Sequence, residues 1–220
     1  MLEASKSEGI KRFVYASSSS VYGDSEQLPK VEENIGNPIS PYAVSKLTNE
    51  LYAHVFHLCY DMELVGLRYF NVFGPRQDPY GAYAAVIPLF AKAMIRGQQP
   101  QINGDGSQTR DFTFVENVVQ ANIKALFSTH PEAVNHILNV GASSTISLVE
   151  LVEALNELLE TNISPAFREP RAGDIPHSYA NISKAKNLLD YDPLFDLKQG
   201  LAQTIGWYKK LFSEENDKRE

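Results

Sequence analysis

The chain has 220 residues, 43% of them hydrophobic, enough for one sizeable core or a core with a small second lobe. Its formal net charge of -7, with no run of Lys or Arg dense enough to neutralise a phosphate backbone, argues against nucleic acid as a partner. A single cysteine, Cys59, excludes an intramolecular disulfide framework and suits a reducing, cytoplasmic compartment.

No stretch approaches the roughly 20 consecutive apolar residues of a membrane span, and MLEASKSEGI is not a secretion signal, so no membrane partner is expected. Met1 to Glu8 reads as the last turns of a helix closed by Gly9, and a chain that opens this way is expected to have lost what came before. Phe13 to Ala16 reads as a buried strand, followed by the serine run Ser17 to Ser20 and a loop with Pro29, Pro38 and Pro41. Leu47, Leu51, Val55 and Leu58 recur at helical spacing up to about Tyr60. Glu63 to Phe70 reads as another buried strand, stopped by Gly74-Pro75.

Further along, a helix is predicted around Val86 to Arg96, a strand at Pro100 to Asn103 and a glycine turn at Asn103 to Gly106. Helices follow at about Glu116 to Ser128, Leu148 to Glu160, Ser183 to Leu189 and Leu197 to Phe212, with a strand at His136 to Val140. The charged tail from Ser213 is expected to fray. Strands alternating with helices indicate an α/β fold with a parallel sheet.

Two elements carry chemistry. Tyr42 and Lys46 are spaced i, i+4, so on a helix they share a face, and an ammonium beside a phenol favours the phenolate that a tyrosine base needs. Ser17-Ser18-Ser19-Ser20-Val21-Tyr22-Gly23 stands at the carboxyl end of the first strand, the edge where open α/β sheets collect ligands. A serine there can hydrogen-bond a sugar hydroxyl or a developing carbonyl.

Strand, serine loop and Tyr-x-x-x-Lys opening a helix resemble the extended short-chain dehydrogenase/reductase family of NAD-dependent epimerases and dehydratases. The resemblance continues, in order, through Leu67-Arg68-Tyr69-Phe70-Asn71-Val72-Phe73-Gly74-Pro75, Gly81 to Pro88, Asn103-Gly104-Asp105-Gly106, Arg110-Asp111-Phe112 and Arg171-Ala172-Gly173-Asp174. It implies a partial Rossmann-type parallel sheet, its N-terminal strands and glycine-rich loop missing, with a small C-terminal substrate-binding lobe. Residues 1–75 and 109–140 would form the cofactor lobe, 76–108 and 141–212 the substrate lobe, and 213–220 the tail.

By the same resemblance, Ser18 would be the catalytic hydroxyl, Tyr42 the base, and Lys46 the contact to the nicotinamide ribose of NAD, with Tyr69 and Phe70 passing the nicotinamide. Ser19 and Ser20 would line the sugar, and Asn71 would touch the diphosphate of a UDP-sugar. Val86 and Ile87, with Gln101 to Asn103 opposite, would hold the base. Arg110 and Arg171 would clamp the diphosphate, and Asp174 would accept from the ribose. The relatives dimerise through helices that include the one bearing Tyr42 and Lys46, which implies a homodimer.

The implied reaction is inversion at sugar C4 through a 4-keto intermediate. Family dehydratases commonly carry Asp and Glu just after the catalytic hydroxyl, and Ser19 and Ser20 stand there instead, which favours the epimerase. The position matching Ser178 lines the sugar pocket in related epimerases, and a small residue there would leave room for an N-acetyl group; with Gly81 to Pro88 and Ile102 to Gly106 the chain most resembles the UDP-N-acetylglucosamine 4-epimerase branch, with UDP-glucose and UDP-glucuronate as other substrates.

The Gly-x-x-Gly-x-x-Gly turn that meets the cofactor pyrophosphate does not occur in the sequence. A second reading is therefore a sugar-nucleotide-binding fragment without NAD affinity. A serine hydrolase is disfavoured by the lack of a Gly-x-Ser-x-Gly elbow, and neither a His-Glu-x-x-His metal motif nor a Walker A loop occurs.

Overall fold

The computed structural model describes residues 1–81, 84–170 and 175–217. In chain order these form α1 (Leu2–Ser7), β1 (Arg12–Ser18), a 3-10 turn (Ser19–Tyr22), α2 (Pro41–Tyr60), β2 (Glu63–Tyr69), β3 (Val72–Phe73), α3 (Val86–Ile95) and β4 (Gln101–Asn103). Next come β5 (Thr109–Arg110), β6 (Thr113–Phe114), α4 (Val115–Phe127), β7 (His136–Val140), β8 (Ile146–Ser147), α5 (Leu148–Leu159), β9 (Ala166–Arg168), α6 (Ser183–Leu189) and α7 (Leu197–Asp217).

The principal sheet is parallel, in the order β1-β2-β7. Its central strand β2 is buried along almost its whole length, as a strand covered on both faces must be. Ser18 pairs with Tyr69, and Tyr69 with Val140, so the three strands finish level with one another. That common edge is where the chemistry-bearing residues emerge. Within the sheet Gly66 is required, because a Cβ there would lie 2.5 Å from the Tyr15 hydroxyl.

Helix α2 begins on three local signals: Ser40 accepts from the Ala43 amide at 3.1 Å, Pro41 occupies the first turn, and Asp61 closes the far end in the left-handed region. The start is thereby fixed one residue before Tyr42. Helix α5 opens with a reciprocal capping box between Ser147 and Glu150.

Two apolar clusters organise the interior. One, built on Val65, Leu67, Phe70, Leu138 and Val140, underlies the sheet. The other joins α3, α5 and α7 through Phe90, Met94, Leu151, Leu155, Leu201 and Tyr208. Ala180, Ile182, Ala185, Leu189 and Tyr191 pack on the sheet cluster, while Phe112 and Phe114 belong to the other. Helix α7 continues beyond Phe212 to Asp217. Strands β3, β5, β6, β8 and β9 were not predicted. Each has two or three residues, too few for a period of two to show, and each pairs with a distant segment.

Candidate active site

At the end of β1, Ser18 leaves the strand in extended conformation and caps the 3-10 turn, its Oγ accepting from the Ser20 amide at 3.1 Å. The turn closes on Gly23 at φ +52°, where a Cβ would sit 1.8 Å from the Asn37 carbonyl. Its last side chain, Tyr22, is buried and donates to Asn139 Oδ1 on β7 at 2.7 Å. The serines are thus presented by a turn anchored at both ends.

Tyr42 projects from the first turn of α2, 56% exposed. One turn later Lys46 places its ammonium 5.6 Å from the Tyr42 ring centroid and donates to the Ala16 carbonyl at 3.0 Å. One turn further Glu50, fully inside the protein, accepts from Ser17 Oγ at 2.5 Å and takes two hydrogen bonds from Arg68 at 2.8 and 2.9 Å.

A cleft of about 600 Å³ opens at this edge. Ser18, Ser19, Ser20, Tyr42, Tyr69, Asn71, Arg110 and Ser178 all border it, drawn from five separated stretches of sequence. Ser20 Oγ is buried and has no hydrogen-bond partner among the described residues, so it is available to a bound hydroxyl. The Tyr69 hydroxyl donates to Asn122 Oδ1, and burial raises its pKa. Asn71, in the left-handed region at φ +24°, donates through its amide to the Asp111 carbonyl at 3.1 Å and does not cap a turn of its own. Arg110 donates to the Thr109 and Pro176 carbonyls, which aligns the guanidinium along the cleft wall.

Other expected residues fall elsewhere. Val86 and Ile87 open α3, but it is the preceding Ala85 that borders the cleft, and Ile87 is core. Gln101 and Asn103 lie on β4 and are not among the residues that line the cleft. Gln101 accepts from Arg168 Nε at 2.8 Å beside a separate depression on α3, and the Asn103 carbonyl accepts from Gln108. Arg171 and Asp174, like Ala82 and Tyr83 of the quoted motif, lie outside the described residues. No cluster of His, Cys, Asp and Glu among the described residues could hold a metal ion.

Two residues of the cleft region escaped sequence reasoning. Lys30 borders the cleft yet is only 4% exposed, its ammonium donating to the Ser25 carbonyl, and burial lowers its pKa. Asp111 is wholly buried and accepts from the Ala142 and Ala180 amides at 2.8 and 3.2 Å, tying the end of β7 to the segment that carries Ser178. Burial pushes its pKa up to about 6 against those hydrogen bonds. The Arg-Asp-Phe motif contained Asp111, but nothing local distinguishes a buried carboxylate from a surface one.

Residues 1–141 match the family described as NAD dependent epimerase/dehydratase. The UDP-glucose 4-epimerase of Mycolicibacterium smegmatis is 35% identical over 95% of this chain and 66% of its own length. Among solved structures, the UDP-N-acetylglucosamine 4-epimerase of Methanobrevibacter ruminantium in complex with UDP-N-acetylmuramic acid is 39% identical, with a TM-score of 0.90 over 95% of this chain and 66% of that one. The UDP-glucuronic acid 4-epimerase of Bacillus cereus, solved with UDP-glucuronic acid and NAD, is 32% identical, with a TM-score of 0.87 over 96% and 65%. The chain spans about two thirds of the length of these relatives.

Proposed function

We propose, for a chain that belongs to the NAD-dependent epimerase/dehydratase family, that it carries the substrate-facing and proton-handling half of a UDP-sugar 4-epimerase. The observation that carries this reading is the convergence of Ser18, Ser19, Ser20, Tyr42, Asn71 and Arg110 on one cleft at the carboxyl edge of a parallel sheet.

The residues fit one end of NAD. Tyr42 borders the cleft, the Lys46 ammonium stands behind it at the Ala16 carbonyl of β1, and an ammonium committed to one carbonyl has two N–H groups left for the hydroxyls of a ribose. No Gly-x-x-Gly-x-x-Gly turn is present for the pyrophosphate, and Gly104 and Gly106 lead into β5, not into a helix N-terminus. When bound, NAD supplies a reversible two-electron acceptor for the hydrogen on sugar C4. Tyr42, as phenolate, takes the proton of the C4 hydroxyl, and Lys46 stabilises that phenolate. Ser18 Oγ hydrogen-bonds the oxygen as it becomes a carbonyl, and Ser19 and Ser20 steady the sugar. Tyr42 then returns the proton after the sugar has presented its opposite face.

Ser178 at the cleft supports UDP-N-acetylglucosamine as substrate, because a serine leaves volume beside the sugar, and the Methanobrevibacter relative is named for that activity. A UDP-uronate is the second reading, favoured by the buried Lys30 ammonium in the same wall and by the name of the Bacillus relative. The exposed row Val44, Leu51, Val55 and Leu58 along α2 supports a homodimer.

The test is C4 inversion of UDP-N-acetylglucosamine, UDP-glucose and UDP-glucuronate with added NAD, by this chain and by the chain fused to a glycine-rich NAD-binding segment. Turnover that requires Tyr42 supports the reading, and the preferred sugar selects between substrates. UDP-sugar binding with no turnover in either form removes the epimerase and leaves a binding protein.

A further inference from the structure

We propose that Ser17, Glu50 and Arg68 form a positioning unit for the reaction, clamping α2 to the end of β1 so that Tyr42 and Lys46 stand at a fixed distance from Ser18. The inference rests on the epimerase reading of the cleft.

The geometry begins with spacing. Tyr42, Lys46 and Glu50 occur every fourth residue of one helix and so form a line along the face that meets the strand. Consecutive residues of β1 receive them. Lys46 holds the Ala16 carbonyl, Glu50 holds the Ser17 hydroxyl, and the next residue is Ser18. The helix that carries the base is therefore fastened immediately beside the catalytic hydroxyl.

Arg68, facing from β2, sets the carboxylate in place with a two-pronged contact, at 2.9 Å to Oε1 and 2.8 Å to Oε2. It also donates to the Glu32 carbonyl at 2.9 Å and lies 4.9 Å from the centroid of the Tyr22 ring, the residue that ends the serine turn. One guanidinium thus touches the catalytic helix, the serine turn and the loop between them. Ser17, Glu50 and Arg68 are each 3% exposed or less; Ser17 sits in the cleft floor with its hydroxyl turned to Glu50, while Glu50 and Arg68 are not among the residues that line the cleft.

A buried ion pair is seldom the most stable filling for such a space, since apolar residues of similar volume do as well or better. What the ionic arrangement adds is direction. A carboxylate held by three donors cannot slide along the helix axis, and displacements near 1 Å at a reacting centre cost about 100-fold in rate.

Ser17→Ala isolates this role, because it cuts the tie to β1 and leaves Glu50 paired with Arg68. In the chain by itself, hydrogen exchange in the amides of Ser19 to Tyr22 should accelerate at least tenfold more than in the amides at the centre of β2, with the melting temperature lowered by no more than a few degrees as the buried Glu50 carboxylate loses one of its three donors. In the enzyme supplied with cofactor and UDP-sugar, kcat should fall about tenfold with KM within twofold, and Ser17→Thr, which restores the hydroxyl, should recover most of the loss. Unchanged turn exchange, unchanged kcat, or acceleration spread over the whole sheet would each overturn the proposal. Should the wild-type chain prove not to be an epimerase, the exchange measurement still decides whether Ser17 positions the turn.

Discussion

The Tyr22 hydroxyl donates to Asn139 Oδ1 at 2.7 Å, and through that bond the serine turn after β1 is attached to β7, a strand that β1 does not touch. Asn139 also donates through its side-chain amide to the Lys30 and Asn181 carbonyls, so one buried amide joins the turn, the long loop and the segment after Ser178. Tyr22→Phe would leave Asn139 Oδ1 without its donor in the interior. The expected cost is about 1–3 kcal/mol, read from urea unfolding.

Tyr42→Phe removes the base without disturbing the packing, since the ring is exposed and its hydroxyl is not among the groups that hold α2 in place. Under the proposed function, kcat should fall by about 100-fold to 10,000-fold while UDP-sugar affinity, measured by calorimetry, stays within about twofold.

Arg68→Met strands the Glu50 carboxylate inside the protein and should cost about 3–5 kcal/mol in chemical denaturation. The double variant Glu50→Leu with Arg68→Met removes both charges and should regain most of that stability. Because the positioning unit would be gone, stability and turnover should part company in the double variant.

Asp111 predicts a pH dependence. Its folded pKa, about 6, lies above the ordinary value of 3.8, so between those limits the folded chain binds the proton more tightly than the unfolded one. Its contribution is therefore fully present below about pH 4 and is lost as the pH rises through 6. The loss amounts to at most about 3 kcal/mol at about 1.4 kcal/mol per unit. Denaturation midpoints of the wild type and Asp111→Asn, compared at pH 4.5 and 7, should show this slope in the wild type only.

Much of this architecture is legible in the amino-acid sequence. The strands at Phe13 and Glu63 stand out as apolar runs, the α2 face as a four-residue rhythm, and the His136 to Val140 strand and the Ser183 to Leu189 helix fall where their patterns put them. Those signals are local. Position around the cleft is not: Gln101 and Asn103 sit on a strand whose partner, β9, comes more than sixty residues later, and no local pattern reveals that pairing. Lys30 shows the converse. A lysine in a polar loop reads as solvated, and its burial follows from backbone bonds to Tyr179 and Asn181 that no spacing rule anticipates.

The line of Tyr42, Lys46 and Glu50 along α2 also governs which length changes the gene can accept. Deleting one residue between Tyr42 and Glu50 would turn the two ends of that stretch by about 100° relative to each other, so the base and the buried carboxylate could no longer face β1 together. Apart from Lys46 and the buried Ala43, substitutions can be absorbed there one at a time, whereas a single in-frame codon loss would disable the base and loosen the fold at one stroke. A deletion scan across this helix should tolerate no position from 43 to 49, and so map the stretch in which spacing matters more than residue identity.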